Sequence, residues 1–140
     1  MSGYEVLGLA LVATVAVGLL LRWKNGRFAA APAAEDAERL SPEDLGAPLG
    51  ERATLVQFSS AFCTPCRATR QVLTQVVDLV PGVTTVEIDA ESQLDLVRRL
   101  DILRTPTVLV LDADGAISSR ASGAPTRDQV LVALDEAIAR

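Results

Sequence analysis

The run Ala53-Thr54-Leu55-Val56-Gln57-Phe58-Ser59, continued by Ser60-Ala61-Phe62-Cys63-Thr64-Pro65-Cys66-Arg67, decides the fold. Its first seven residues are mostly apolar and β-leaning, which suits a buried strand. From Cys63 to Val80 the apolar residues Val72, Leu73, Val76, Val77 and Val80 recur as a helical stripe, closed by Pro81-Gly82. The two cysteines therefore stand where a strand hands over to a helix. Three apart on an opening helical turn, they are close enough to bridge. Cys63 lies beside the unsatisfied N–H groups and the positive dipole end of the helix, which stabilise a thiolate. Cys66 sits one turn further in and is more shielded. This asymmetry makes Cys63 the expected nucleophile and Cys66 the resolving thiol. Pro65 occupies the first turn without removing a needed hydrogen bond. A lone CxxC also serves as a structural bridge or as half of a zinc knuckle, but two cysteines and no His cannot complete a zinc site within one chain.

The elements around this core alternate. Val83 to Asp89 reads as a strand. Ser92 to Leu100 reads as a helix with Leu94, Val97 and Leu100 on one side. Thr107 to Leu111 is an apolar strand, Asp112-Ala113-Asp114-Gly115 a hairpin turn, and Ala116 to Ala121 a weaker strand. Asp112 and Asp114 have the spacing of calcium ligands, yet the loop is too short for that and a turn accounts for them. Thr126 to Ala139 is an amphipathic helix with Val130, Leu131, Leu134 and Ile138 inward. Upstream, Ser41-Pro42-Glu43-Asp44 starts a short helix that Gly46 stops. The order is that of an α/β domain with a mixed sheet.

At Phe58 to Arg67 the chain resembles the thioredoxin family, which has an aromatic, a short loop, a second aromatic, CGPC and a basic residue at these places. Thr105-Pro106-Thr107 looks like that family's cis-proline loop, where the residue before the proline offers its backbone to an extended thiol substrate. Gly123 matches a glycine that the family uses near this groove. The likeness runs from about Arg39 to Arg140 and implies a compact thioredoxin fold, a central mixed sheet flanked by helices. It assigns Phe62, Thr64, Pro65, Thr105 and Pro106 to the motif and substrate groove. The departures are as informative as the match. Gln57 stands where the family has a buried Asp that acts on the resolving thiol, and Thr85 where it has the partner Lys. Gln takes up no proton, so the resemblance implies slower disulfide reduction and a narrower task; the plainer reading is a hydrogen-bonded core amide. Thr64 replaces Gly and Phe62 replaces Trp on the substrate-facing rim. Arg67 and Arg70, one turn apart, either favour the Cys63 thiolate or belong to a solvated helix face.

Composition narrows the chemistry. Hydrophobic residues make up 49% of the 140 and aromatics 4%, and the net charge is −5. This acidic balance argues against nucleic acid, whose phosphates need clustered Lys and Arg. The absence of His removes Ser–His–Asp and Cys–His nucleophiles and His-ligated metals. No metal and no organic cofactor is implied.

The greasy part of the chain is Val6 to Leu21, sixteen residues without a charge. With Tyr4 and Trp23 at its ends and Arg22 able to snorkel, residues 4–23 read as one transmembrane helix. A cleaved signal peptide is the competing reading. It lacks a basic n-region, and the small residues Ala29–Ala34 lie beyond Arg22, Lys24 and Arg27. Gly3, Gly8 and Gly18 make no GxxxG pair. Residues 24–38 read as a flexible Ala- and Pro-rich tether, and 39–140 as the thioredoxin-like domain. Three basic residues follow the span and none precedes it, which puts the domain in the cytoplasm; an extracytoplasmic domain is the alternative.

The combined expectation is a membrane-tethered thiol–disulfide oxidoreductase that reduces disulfides of cysteine-containing proteins. Its electrons would come from a thiol reductase or another donor. Two alternatives stand beside it. One is a redox-inert thioredoxin-like docking module; the other is an exported thiol oxidoreductase in oxidative folding or cytochrome maturation.

Overall fold

The computed structural model describes residues 2–30 and 38–139. A sheet of five strands is built from β1 (Phe28–Ala30), β2 (Ala53–Ser59), β3 (Val83–Asp89), β4 (Thr107–Asp112) and β5 (Ile117–Ser122). Their order across the sheet is β1-β5-β4-β2-β3. Only β2 and β3 run parallel; β4, β5 and β1 each lie antiparallel to their neighbour. The helices are α1 (Gly3–Lys24), α2 (Pro42–Leu45), α3 (Thr64–Leu79), α4 (Leu94–Arg99) and α5 (Arg127–Ile138). This is the mixed, helix-flanked sheet that the alternating pattern implied.

Period-two alternation in the central strands feeds two cores. Ala53 and Leu55 of β2 with Val108 and Val110 of β4 meet Leu73 and Val76 of α3 and Val130 and Leu134 of α5. On the other face Val56, Phe58, Leu109 and Leu111 meet Leu45, Leu96 and Leu100. All seven residues of β2 are buried, as expected for a strand covered on both faces and paired on both edges. In α4 the inward residue is Leu96, whereas Leu94 is 53% exposed. Leu94 opens the helix, and its side chain falls outside the stripe assigned to it from spacing alone.

The short helix α2 has the cap its sequence advertises. Ser41 Oγ accepts from the Asp44 amide, the Asp44 carboxylate accepts from the Ser41 amide, and Gly46 ends the turn at φ +69. The guanidinium of Arg99 adds two bonds to the same carboxylate at 3.1 and 3.2 Å and reaches Glu38 at 2.9 Å. The turn between β4 and β5 is likewise built by Asp112, whose Oδ1 accepts from the amides of Asp114 and Ala116.

The N-terminal region departs from expectation at the proposed tether. Helix α1 is 22 residues long with mean hydropathy 2.2 and no buried residue. At ~1.5 Å per residue it spans about 33 Å, enough for a ~30 Å hydrocarbon layer. It is a candidate membrane span. The chain beyond it is not free: the Gly26 amide donates to the Ser122 carbonyl at 3.0 Å, and Phe28–Ala30 pair with Ala121–Ser119 as an edge strand. Glu38 and Leu40 bond to the same strand region through Ile117 and Gly115. Residues 25–30 thus belong to the folded domain, and the remainder of the expected tether, 31–37, lies outside the described residues. Three residues are too few to display an alternating pattern, and main-chain pairing needs no particular side chain.

Arg99 beside Asp44, together with the Ser41 amide, lowers the Asp44 pKa to about 2. A carboxylate with a lowered folded-state pKa stabilises the fold fully above its unfolded value of about 4 and loses that contribution as pH falls toward 2. Because Arg99 is 42% and Asp44 27% exposed, screening trims the effect to about 1 kcal/mol. Denaturant titrations at pH 6 and pH 2.5 should show this increment in the wild type and not in Asp44→Asn.

Candidate functional site

The site assembles at the end of the sheet where β2 stops and β4 begins. Ser59, the last residue of β2, leads through Ser60-Ala61-Phe62 into Cys63, which is the N-cap of α3. The Cys66 amide donates to Cys63 Sγ at 3.2 Å, so an otherwise unpaired N–H of the first turn is aimed at the sulfur. Cys63 and Cys66 are disulfide-bonded, with Cα atoms 5.3 Å apart. Their surroundings differ as the sequence implied. Cys63 is part-exposed, Cys66 is 2% exposed, and Thr64 and Pro65 between them lie in solvent.

Across from the disulfide loop runs the segment Leu103-Arg104-Thr105-Pro106, and the Thr105–Pro106 bond is cis. Thr105 Oγ1 and Ser60 Oγ are 3.1 Å apart and hydrogen-bonded, which ties the two loops together. Thr107 Oγ1 donates back to the Arg104 carbonyl at 2.6 Å. The Gly123 amide donates to the Pro106 carbonyl at 2.8 Å. Gly123 has φ +105, a conformation that favours glycine, and a Cβ there would displace the Asn25 side chain, whose Oδ1 would stand 2.1 Å away. Phe62, next to Cys63 in the chain, is fully exposed, and Leu103, two residues before Thr105, is 85% exposed.

Gln57 lies on the α3 face of β2 and is 1% exposed. Its Nε2 donates to the Cys66 carbonyl at 2.8 Å. The amide thus holds strand to helix beneath the disulfide and takes up no proton there. Thr85 is exposed on β3. Arg67 is exposed just past the motif. Arg70 points instead at β3, where it forms an ion pair with Glu87 that holds its guanidinium more firmly protonated. Arg70 is therefore engaged away from the thiols. Among the described residues no group of three His, Cys, Asp or Glu could hold a metal ion. Sequence reasoning missed Ser60, Arg104 and Asn25. Polar loop residues with no repeating pattern show their role only once the fold brings them together.

A thioredoxin family model matches residues 43–136. The chain belongs to the thioredoxin family. A thioredoxin designated H5 from Oryza sativa subsp. japonica is 25% identical over 72 residues, 51% of this chain. The chain spans 53% of that relative's length. Among solved structures, a chloroplastic thioredoxin z is 25% identical with a TM-score of 0.61, covering 74% of this chain and 96% of that one. Mitochondrial thioredoxin 3 from Saccharomyces cerevisiae, 20% identical, shares the fold with a TM-score of 0.54 over 61% of this chain and 79% of its own. A thioredoxin fold with a CxxC pair at disulfide distance supports thiol–disulfide oxidoreductase chemistry in general terms.

Replacing Gln57 by Asp would put a proton acceptor under Cys66 and a carboxylate beside the carbonyl that the amide now serves. The variant should lose about 1–3 kcal/mol of stability in denaturant melts. Resolution of its mixed disulfide, followed by stopped-flow, should be at least about tenfold faster near neutral pH. An unchanged rate would show that the lack of a base at this position does not limit turnover.

Proposed function

We propose that this chain is a membrane-tethered thiol–disulfide oxidoreductase that reduces disulfides of cysteine-containing proteins. The observation that carries the chemistry is the Cys66 N–H directed at Cys63 Sγ, 3.2 Å away, at the head of a 16-residue helix. A helix N-terminus favours the anionic form of a sulfur held there.

In the reduced enzyme the Cys63 thiolate attacks one sulfur of the substrate disulfide. That S–S bond breaks, the departing sulfur leaves as a thiolate and takes a proton from water, and Cys63 is joined to the substrate. Cys66 then gives its proton to water and attacks Cys63 Sγ, expelling the second substrate thiolate. Two electrons pass from the dithiol to the substrate, and the intramolecular disulfide that results is reduced again by a protein dithiol donor. In this reading Cys63 and Cys66 are the catalytic pair. Phe62, Thr64 and Pro65 form one wall of the substrate groove, and Thr105 with Pro106 forms the other. Gln57 fixes the second cysteine without serving as its base. Arg67, exposed one turn into α3, is the cation left to tune the site.

The membrane attachment rests on α1, whose length and hydropathy suit a span, and on its flanks. Arg22, Lys24 and Arg27 follow it directly, and basic residues flanking a span on this side favour a cytoplasmic domain and hence the reducing direction. Residues 4–23 then make the anchor, and the catalytic domain occupies the chain beyond it.

Four outcomes test this. Cys63→Ser should abolish turnover of insulin disulfides, and equal activity in the variant and the wild type would refute the enzyme. Cys66→Ser should accumulate disulfide-linked partners in cells. In the reduced protein Cys63 should alkylate with a midpoint below the ~8.5 of a free thiol, ahead of Cys66. A reporter joined after Arg140 that is active only outside the cytoplasm would overturn the assigned side.

A further inference from the structure

We infer that the junction between α1 and the domain holds the redox rim at the membrane surface, so that the preferred substrate is a disulfide carried at headgroup depth by an integral membrane protein. The inference rests on the membrane reading of α1 and goes beyond it by fixing where the site sits and what can reach it.

The strand registers supply the first observation. β5 ends at Ser122 opposite Thr107, where β4 begins, and Thr107 in turn lies opposite Phe58, next to the end of β2. β1 begins at Phe28 opposite Ala121. The chain leaving α1 therefore enters the sheet at the same end that carries the CxxC loop. The β4–β5 turn at Ala113 and Asp114 is at the opposite end. Six residues of β4 at ~3.3 Å each separate the two ends by roughly 20 Å. That distance exceeds the ~5–8 Å depth of one headgroup layer, so with the strands standing off the bilayer only the end joined to α1 lies in that layer.

The second observation is that the junction is short and bonded. Arg104 Nη2 donates to Asn25 Oδ1 at 2.7 Å, one residue before Thr105 of the groove. Asn25 packs on Gly123, whose amide binds the Pro106 carbonyl, and the Gly26 amide binds Ser122. The guanidinium of Arg27 lies 4.0 Å over the Trp23 ring, joining the last turn of α1 to the lead of β1. An unbroken series of contacts thus runs from the end of α1 to the cis-proline loop and on through Ser60 to the disulfide. Third, this end bears what a headgroup layer accepts. Among the described residues outside α1, Phe62 and Leu103 are the two most exposed large apolar side chains, and Arg22, Lys24, Arg27 and Arg104 supply cations for anionic lipid.

The exchange itself is the two-electron reaction given above; what the junction adds is reach. A disulfide fixed near the lipid surface meets the groove without a diffusional search in three dimensions, whereas a soluble one gains nothing from the anchor.

The experiment uses the full chain in anionic phospholipid vesicles. An environment-sensitive fluorophore is placed at position 62, or at position 113 as control, in a Cys63→Ser, Cys66→Ser background, with a lipid-borne headgroup quencher. A ten-residue Gly-Ser insertion between Lys24 and Asn25 leaves every contact within the domain intact and frees it by an r.m.s. ~17 Å. Quenching at position 62 should exceed that at 113 at least about threefold, and the insertion should equalise the two. In the active protein the insertion should slow reduction of a disulfide on a lipidated peptide about tenfold while insulin reduction stays unchanged. Equal quenching at 62 and 113 in vesicle-bound protein, or an insertion without effect on the lipidated substrate, overturns the inference and leaves the oxidoreductase standing. A chain that fails to float with vesicles overturns the membrane reading, and this inference with it.

Discussion

The register of β2 governs everything built around the disulfide. The strand is hydrogen-bonded on both edges, parallel to β3 and antiparallel to β4, and it is buried on both faces. A slip of one residue would turn Leu55 and Gln57 to the α4 side and Val56 and Phe58 toward α3, exchanging both cores at once. With that option closed, the strand's last residue and the loop after it are delivered to one point at the sheet's end. Helix α3 then begins at Cys63 rather than nearby, and its first free amide meets a sulfur instead of water. The reactivity ascribed to Cys63 is thus set by packing at the far end of a seven-residue strand.

Gln57 links the core to the chemistry. It occupies an inward position on β2 where an apolar residue would satisfy the packing, yet its amide bridges to the first turn of α3. An ionisable group there would couple the charge of the buried thiol to the pH of the solvent. A neutral amide gives rigidity without that coupling. In the proposed exchange the second step would then depend on water or on the substrate for proton transfer.

Much of this was legible in the residues themselves. The end of β2 follows directly from the apolar run that stops before Ser60, the end of α3 and start of β3 from Pro81-Gly82, and the caps of α2 and the Asp112 turn from side chains with strong local preferences. The motif Cys63-Thr64-Pro65-Cys66 was legible because it sits at a change of periodicity from two to 3.6. What could not be read depends on partners distant in sequence. The strand Phe28–Ala30 exists because β5 offers an open edge. Arg70 finds Glu87 because α3 crosses β3, and Leu94 gives way to Leu96 because α4 is barely more than one turn long. Asn25 and Arg104 lie 79 positions apart, and no local pattern announces their bond.

The edge position of β1 also bears on how α1 and the domain relate. Without Phe28–Ala30, β5 would present a row of bare amides and carbonyls along one flank of the sheet, the kind of template that recruits strands from other molecules. Cutting the protein just after its greasy helix spares that flank, whereas cutting a few residues later strips it. The segment that follows α1 therefore doubles as a seal against clumping, because its strand occupies the one flank of β5 that would otherwise lie open.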